Sequence, residues 1–223
     1  MALRRKLPLL QALAPQIAVI PECAKHEIKS IADATTQTCW FGANPRKGIG
    51  VIVHAPWTIL RVGRASRKWL APVWIGGPIE FLLIAVWTTQ VKGGRERSYV
   101  GQACTAVKEH PEWFASQPVV LCGDFNSNSI WDKTRRKLSH GRLVEHLSRK
   151  NITSAYHHFF GEPQGAETRP THYFYHHRDR PFHLDYIFLP KEWTPKLTRV
   201  EVGEHAHWAK HSDHVPILAD VDF

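Results

Sequence analysis

The stretch Val119-Val120-Leu121-Cys122-Gly123-Asp124-Phe125-Asn126 is an apolar run that ends in a carboxylate and a carboxamide two residues apart. Four consecutive apolar residues bounded by a glycine read as a short buried strand. On extended chain, positions i and i+2 share a face, so Asp124 and Asn126 can turn both polar heads into one cavity. Such a pair suits holding and activating a water beside a bound anion. An Asx-type turn closing the strand would use the same two residues, so the stretch takes its meaning from the segments around it.

Three further segments set an acid, or an acid and a histidine, against a β-type apolar run. They are Ile17-Ala18-Val19-Ile20-Pro21-Glu22, His183-Leu184-Asp185-Tyr186-Ile187-Phe188 and Ser212-Asp213-His214-Val215-Pro216-Ile217. In chain order the motifs are Glu, Gly-Asp-x-Asn, Leu-Asp-Tyr and Ser-Asp-His. This order resembles the endonuclease/exonuclease/phosphatase superfamily, with its deoxyribonuclease I-like and apurinic-site endonuclease-like enzymes. The resemblance runs from Arg4 to the last strand. It implies an α/β fold, a four-layer sandwich of two packed mixed or antiparallel β-sheets flanked by helices.

The resemblance also assigns roles. Glu22 is the expected metal carboxylate, with Asp213 completing or neutralising the metal's shell. Asp124 is expected to orient or deprotonate the attacking water, with Asn126 as a neutral donor and acceptor. Asp185 is expected to orient His214 and hold it as imidazolium, able to donate to a phosphate oxygen. Tyr99 matches, more loosely, a phosphate-contacting tyrosine; packing on the sheet is an equal reading. Asn44 and Lys47 are further candidates for approaching substrate. The implied cofactor is Mg²⁺ or Mn²⁺, since a hard cation that keeps its waters needs only one or two carboxylates. Read alone, a strand-end Glu such as Glu22 would be a surface salt bridge.

Two departures from the family pattern stand out. Members begin with a core strand carrying an Asn beside the metal, ahead of the helix that here starts near Arg4; no counterpart precedes that helix. Either the true start lies upstream, or the sheet folds with a gap and the site lacks one polar ligand. In addition, Trp87, in Ile84-Ala85-Val86-Trp87, stands where deoxyribonuclease-like members have a catalytic His.

The chain has 223 residues, 43% of them hydrophobic, enough for one domain spanning 1–223 with a sizeable core. No run approaches the roughly 18–20 apolar residues of a membrane span, and a cytoplasmic location is expected. Leu3-Arg4-Arg5-Lys6 and the leucines after it mimic a secretory signal, but Pro8, Gln11 and Pro15 interrupt the run, and an amphipathic helix over Arg4–Ala14 is expected instead. The formal charge of +9 suits a polyanionic partner, nucleic acid or another phosphate ester. Basic residues cluster at Arg61, Arg64, Arg67 and Lys68, and at Lys133, Arg135, Arg136 and Lys137. Cys23, Cys39, Cys104 and Cys122 lack C-x-x-C spacing and are expected as free thiols. His205, His207, His211 and His214 invite a zinc reading, but no partner pattern supports it. Trp131, beside the Asp124 loop, could stack on a base.

Periodicity places strands at Ile17–Ile20, Val119–Cys122, His172–Tyr175, Leu184–Leu189 and Val215–Val221. It predicts hairpins from Ile49–Val53 to Trp57–Val62 and from Val73–Ile75 to Ile79–Trp87, with helices over Arg97–Glu109 and Leu143–Lys150. The functional expectation is a metal-dependent phosphodiesterase hydrolysing nucleic-acid phosphodiester bonds by attack of an activated water. The alternatives are a phosphatase or small-molecule or lipid phosphodiesterase of the same fold, or a truncated, catalytically impaired nucleic-acid-binding member.

Overall fold

The computed structural model describes residues 3–66, 69–133 and 137–223. Arg67 and Lys68 of the first basic cluster, and Arg135 and Arg136 of the second, lie outside the described residues. The chain opens with α1 (Leu3–Ala12), β1 (Ile17–Cys23), α2 (Lys25–Lys29), β2 (Thr36–Asn44) and β3 (Lys47–His54). It continues through β4 (Thr58–Val62), β5 (Leu70–Gly76), β6 (Phe81–Trp87), α3 (Tyr99–Glu109), β7 (Val119–Asp124), α4 (His140–Ser148), β8 (Ile152–Ser154) and α5 (Ala155–Phe160). The last third holds β9 (His172–Tyr173), β10 (Pro181–Phe182), β11 (Asp185–Pro190), β12 (Leu197–Val202), α6 (His205–Trp208) and β13 (Ile217–Val221).

A six-stranded mixed sheet in the order β4-β5-β6-β7-β11-β8 forms the main layer, antiparallel except for the β6–β7 pair. Strand β6 shows how sequence sets the layers. It is apolar throughout, as a strand covered on both faces must be. Leu82, Ile84 and Val86 face one core and Leu83, Ala85 and Trp87 the other. Burying each such aliphatic side chain stabilises the fold by roughly 1.5–3 kcal/mol.

The first core lies under α3 and α4. Ser98 caps α3 by accepting from the Gly101 N–H, and Ser139 caps α4 by accepting from Arg142 N–H. Val100, Ala103, Cys104 and Val107, spaced at the helical period in α3, face this core with Leu143 and Leu147 of α4. The second core lies between the main sheet and a facing layer carrying Ile49, Val51 and Val53. On that layer's outer face, Leu3 and Ile28 of α1 and α2 pack on Ile20 and Ile52. Helix, sheet, sheet, helix: the expected four-layer α/β sandwich is the observed architecture.

The facing layer, however, is in two pieces, a β1-β3-β2 sheet and a separate β12-β13 ribbon. This break is compatible with both alternatives left by the missing first strand. Two pairing expectations also need correction. β3 and β4 do not form a hairpin, because the Ala55-Pro56 link passes the chain from the facing layer to the main sheet. The strand read at His172–Tyr175 stops at Tyr173 and pairs with β10. The β5–β6 hairpin is as expected, and all four cysteines are free thiols.

The close parallel approach of β6 and β7 rests on Gly123, whose φ is +137° and whose missing Cβ would lie 2.0 Å from the Val86 carbonyl oxygen. A side chain there meets both a disfavoured backbone region and rigid backbone. Gly123→Ala should destabilise the protein by about 2–4 kcal/mol, read as a lowered midpoint in chemical denaturation.

Candidate active site

Strand register builds the site. At the C-terminal end of β7, Asp124 lies beside Trp87 of β6 on one side and opposite Asp185 of β11 on the other. Two carboxylates directly opposed across a strand pair repel each other. The third member arrives from a different layer. Tyr173 N–H donates to the Asp213 carbonyl and Val215 N–H to the Thr171 carbonyl, which pins the Ser212–Val215 segment against β9. His214 Nδ1 then lies 2.8 Å from Asp185 Oδ2. The buried Thr171 hydroxyl accepts from the backbone N–H groups of both Leu184 and Asp185, fixing the start of β11.

Asp124, Asp185 and His214 bring ligand-capable atoms within 4.8 Å of one another, and no other such group of His, Cys, Asp or Glu occurs among the described residues. The electrostatics follow from crowding. Burial, then the neighbouring Asp185 carboxylate, pushes Asp124 up to about 8. Burial alone would lower His214, but the Asp185 carboxylate outweighs it, with help from Asp124 and Asp213, and raises it to about 10. His214 is thus held as imidazolium, its Nδ1–H committed to Asp185.

Asn126 does meet Asp124, though through a turn and not along a strand. Its φ is 45°, its N–H donates to Asp124 Oδ1 at 2.8 Å, and its side-chain amide donates to Asp124 Oδ2 and to the Thr88 carbonyl. An Asx turn and an acid–amide pair are here the same object. Glu22 leaves β1 at a bulge with φ of 60°, which re-aims its side chain. Its carboxylate pairs with Lys47 at 3.0 Å, and Lys47 also sits 5.1 Å from the Trp87 ring centroid. Glu22 lies outside the close Asp124–Asp185–His214 group and reaches it only as a weaker charge acting on Asp124. Asp213 lies 3.9 Å from His172 Nε2.

Tyr99 heads α3 and is 36% exposed, with no hydrogen bond to the acid–histidine cluster among the described residues. Asn44 caps its own turn by accepting from Arg46 N–H. Trp131 is 45% exposed with its ring 5.2 Å from Phe182, a tilted aromatic pair on the surface. The zinc reading does not assemble: His205 Nε2 bonds the His176 carbonyl, away from His214.

Two residues had no motif to announce them. Lys6 of α1 lines the same cavity as Asp185 and His214; burial lowers its affinity for a proton, while the charges of Glu22, Asp213 and Asp185 raise it. His172 packs its ring 4.5 Å from that of His214, and its buried Nδ1 has no hydrogen-bond partner. Only a helical period reaching Lys6 could have hinted at its position.

The pairing has a direct test. In Asp185→Asn the burial that lowers His214 remains while its main counter-charge is gone. The His214 titration midpoint, followed by imidazole NMR shifts, should fall well below its value near 10, since only the weaker pull of Asp124 and Asp213 then offsets burial.

The amino-acid sequence matches the model of the Endonuclease/Exonuclease/phosphatase family over residues 33–214. The chain belongs to that family. Comparison with curated proteins gives no match. Among solved structures, a 3' phosphatase, NExo, from Neisseria bound to product DNA hairpin superposes with a TM-score of 0.72 at 16% identity, covering 100% of this chain and 96% of that one. An AP endonuclease from Archaeoglobus fulgidus gives a TM-score of 0.70 at 16% identity, covering 97% and 92%.

Proposed function

We propose that this member of the endonuclease/exonuclease/phosphatase family is a divalent-metal-dependent phosphodiesterase that hydrolyses nucleic-acid phosphodiester bonds by attack of an activated water. The convergence of Asp124, Asp185 and His214 from β7, β11 and the segment before β13 carries this reading. A phosphodiester repels nucleophiles, so its hydrolysis needs a positioned water, a cation for the developing charge and a donor to the phosphate.

His214 supplies the donor. With Nδ1–H held by Asp185, its Nε2–H is left to bond a phosphate oxygen. Asp124 and Asn126 supply the water's seat. The Asn126 amide bridges Asp124 Oδ2 and the Thr88 carbonyl, which fixes the carboxylate's orientation for accepting a proton from water. The donor set also fits Mg²⁺ or Mn²⁺. Glu22, Asp213 and Asp185 all act electrostatically on the Lys6 ammonium, and all three offer oxygen. Glu22 and Asp213 are the assigned metal residues. The bound ion would neutralise charge at the phosphate and lower the pKa of a bound water. An ion would also favour the ionised form of Asp124, which burial now opposes.

Nucleic acid as the substrate class is supported by the net charge of +9 and by the exposed Trp131–Phe182 pair. Phe182 also stacks on His172, whose ring touches that of His214, so an aromatic surface leads from the site to solvent. Tyr99 keeps a looser role as a phosphate contact from the head of α3.

The test is cleavage of single- and double-stranded DNA and RNA with and without Mg²⁺ or Mn²⁺. His214→Ala should lower kcat/KM by about 10²–10⁴-fold; unchanged activity would overturn the assignment. Trp131→Ala should weaken binding of a single-stranded oligonucleotide by about 1–3 kcal/mol, measured by fluorescence anisotropy.

A further inference from the structure

Lys47 opens β3, and its ammonium is held from two sides. Nζ lies 3.0 Å from Glu22 Oε1 and 5.1 Å from the centroid of the Trp87 ring. The two paired side chains are 53% and 43% exposed, and an ion pair that open contributes little to stability. The backbone is nevertheless shaped around it. Glu22 takes a φ of +60°, uncommon for a residue with a side chain, where the β1–β3 register shifts. On the other strand, the Asn44 side chain accepts from Arg46 N–H, and Lys25 N–H donates to the Pro45 carbonyl, so the turn presenting Lys47 is fixed. Trp87 is a fixed platform in its turn. It is 3% exposed, lies edge-on to Trp69 with centroids 4.7 Å apart, and sits beside Asp124 in the β6–β7 register. The ammonium thus bridges the carboxylate assigned to the metal and the strand next to Asp124.

We propose that Lys47 is an exchangeable cation of the active site: it neutralises Glu22 while no metal is bound, and a divalent ion on Glu22 frees it for a phosphate oxygen of the substrate. This deepens the function proposed above and rests on Glu22 being a metal carboxylate. The exchange follows from charge and ligand preference. A hard divalent ion prefers carboxylate oxygen and carries twice the charge, so it displaces an ammonium from a half-exposed oxygen. The released ammonium keeps its second partner. A lysine over an indole face is retained by the ring's negative quadrupole, and it still has protons to donate. The anion that arrives with the ion is the phosphate, for which a lysine ammonium is a well-suited point charge. The consequence is coupling. Before the ion binds, Glu22 cancels the charge of Lys47 and the substrate gains little from it. Afterwards the same ammonium adds a charge-assisted hydrogen bond. Ion and phosphate then favour each other's binding, by the same factor from either side.

The experiment has two arms, and the first needs no nucleic acid. Mn²⁺ binding is measured by water-proton relaxation at physiological salt, where distant surface charges are screened. Lys47→Met removes the competitor and should tighten Mn²⁺ binding by about two- to fivefold. Lys47→Arg keeps a cation on Glu22 and should not tighten it. Lys25→Met, which removes an exposed lysine over Trp40, should leave it unchanged. The second arm follows a fluorescein-labelled oligothymidylate by anisotropy, in the His214→Ala background to keep it uncut. With Mg²⁺, Lys47→Met should weaken binding by about tenfold; without a divalent ion it should weaken it by less than about twofold. The proposal is overturned if Lys47→Met leaves Mn²⁺ affinity unchanged or lower, or if Lys25→Met raises it equally. It is also overturned if the oligonucleotide loss is the same with and without Mg²⁺, which makes Lys47 a plain backbone contact. Wild-type protein that binds no Mn²⁺ overturns the inference together with the function beneath it, whereas Mn²⁺ binding indifferent to Lys47 overturns the inference alone.

Discussion

Asp124 and Asp185 face each other across β7 and β11, and this opposition of two buried-edge carboxylates governs the rest of the site. Left alone, the pair would hold a proton or pull the strands apart. The protein answers with positive charge from other layers. His214 comes from the segment before β13 and Lys6 from α1, while Glu22 and Asp213 add further negative charge around them. Gathering so many charges is costly, which is why this balance supports the proposed cation-assisted chemistry over a purely structural device.

The same balance fixes how the metal-free protein responds to pH. His214 is raised above its unfolded value, so its contribution to stability is full below about 6.5 and is lost as pH rises through about 10. Asp124 is raised as well, and its preference for the neutral form costs stability once pH climbs above the ordinary carboxylate range toward 8. Both groups act in the same direction. The fold weakens on the alkaline side, and a cation bound as proposed would oppose that weakening by favouring ionised Asp124.

Much of this was legible in the sequence because the motifs sit at the ends of apolar strands, where type and order survive without any knowledge of pairing. Asp124, Asn126, Asp185 and His214 meet in close contact, while Glu22 and Asp213 reach them only as more distant charges. What escaped was set by tertiary contact. Strand β2 reads Thr-Gln-Thr-Cys-Trp and lacks a strong apolar pattern because it is a half-exposed edge, stitched to β4 by Gln37, which donates to the Thr58 hydroxyl and accepts from Ile59 N–H. The β3–β4 hairpin failed because Ala55-Pro56 changes layers, which period-two patterning does not encode. Lys6 was hidden in a stretch that looked like a leader. The break between β1 and β13 was foreshadowed only by the family resemblance, as one of two alternatives.

In the proposed function, residues spread from Glu22 to His214 form one cation-binding pocket. Paramagnetic NMR with substoichiometric Mn²⁺ tests it without reference to turnover. The account requires selective broadening of the Glu22, Asp124, Asp185, Asp213 and His214 signals, reversed by excess Mg²⁺, with Leu60 and Val62 on the far edge strand untouched. Broadening centred elsewhere, or none in a folded sample, would contradict it.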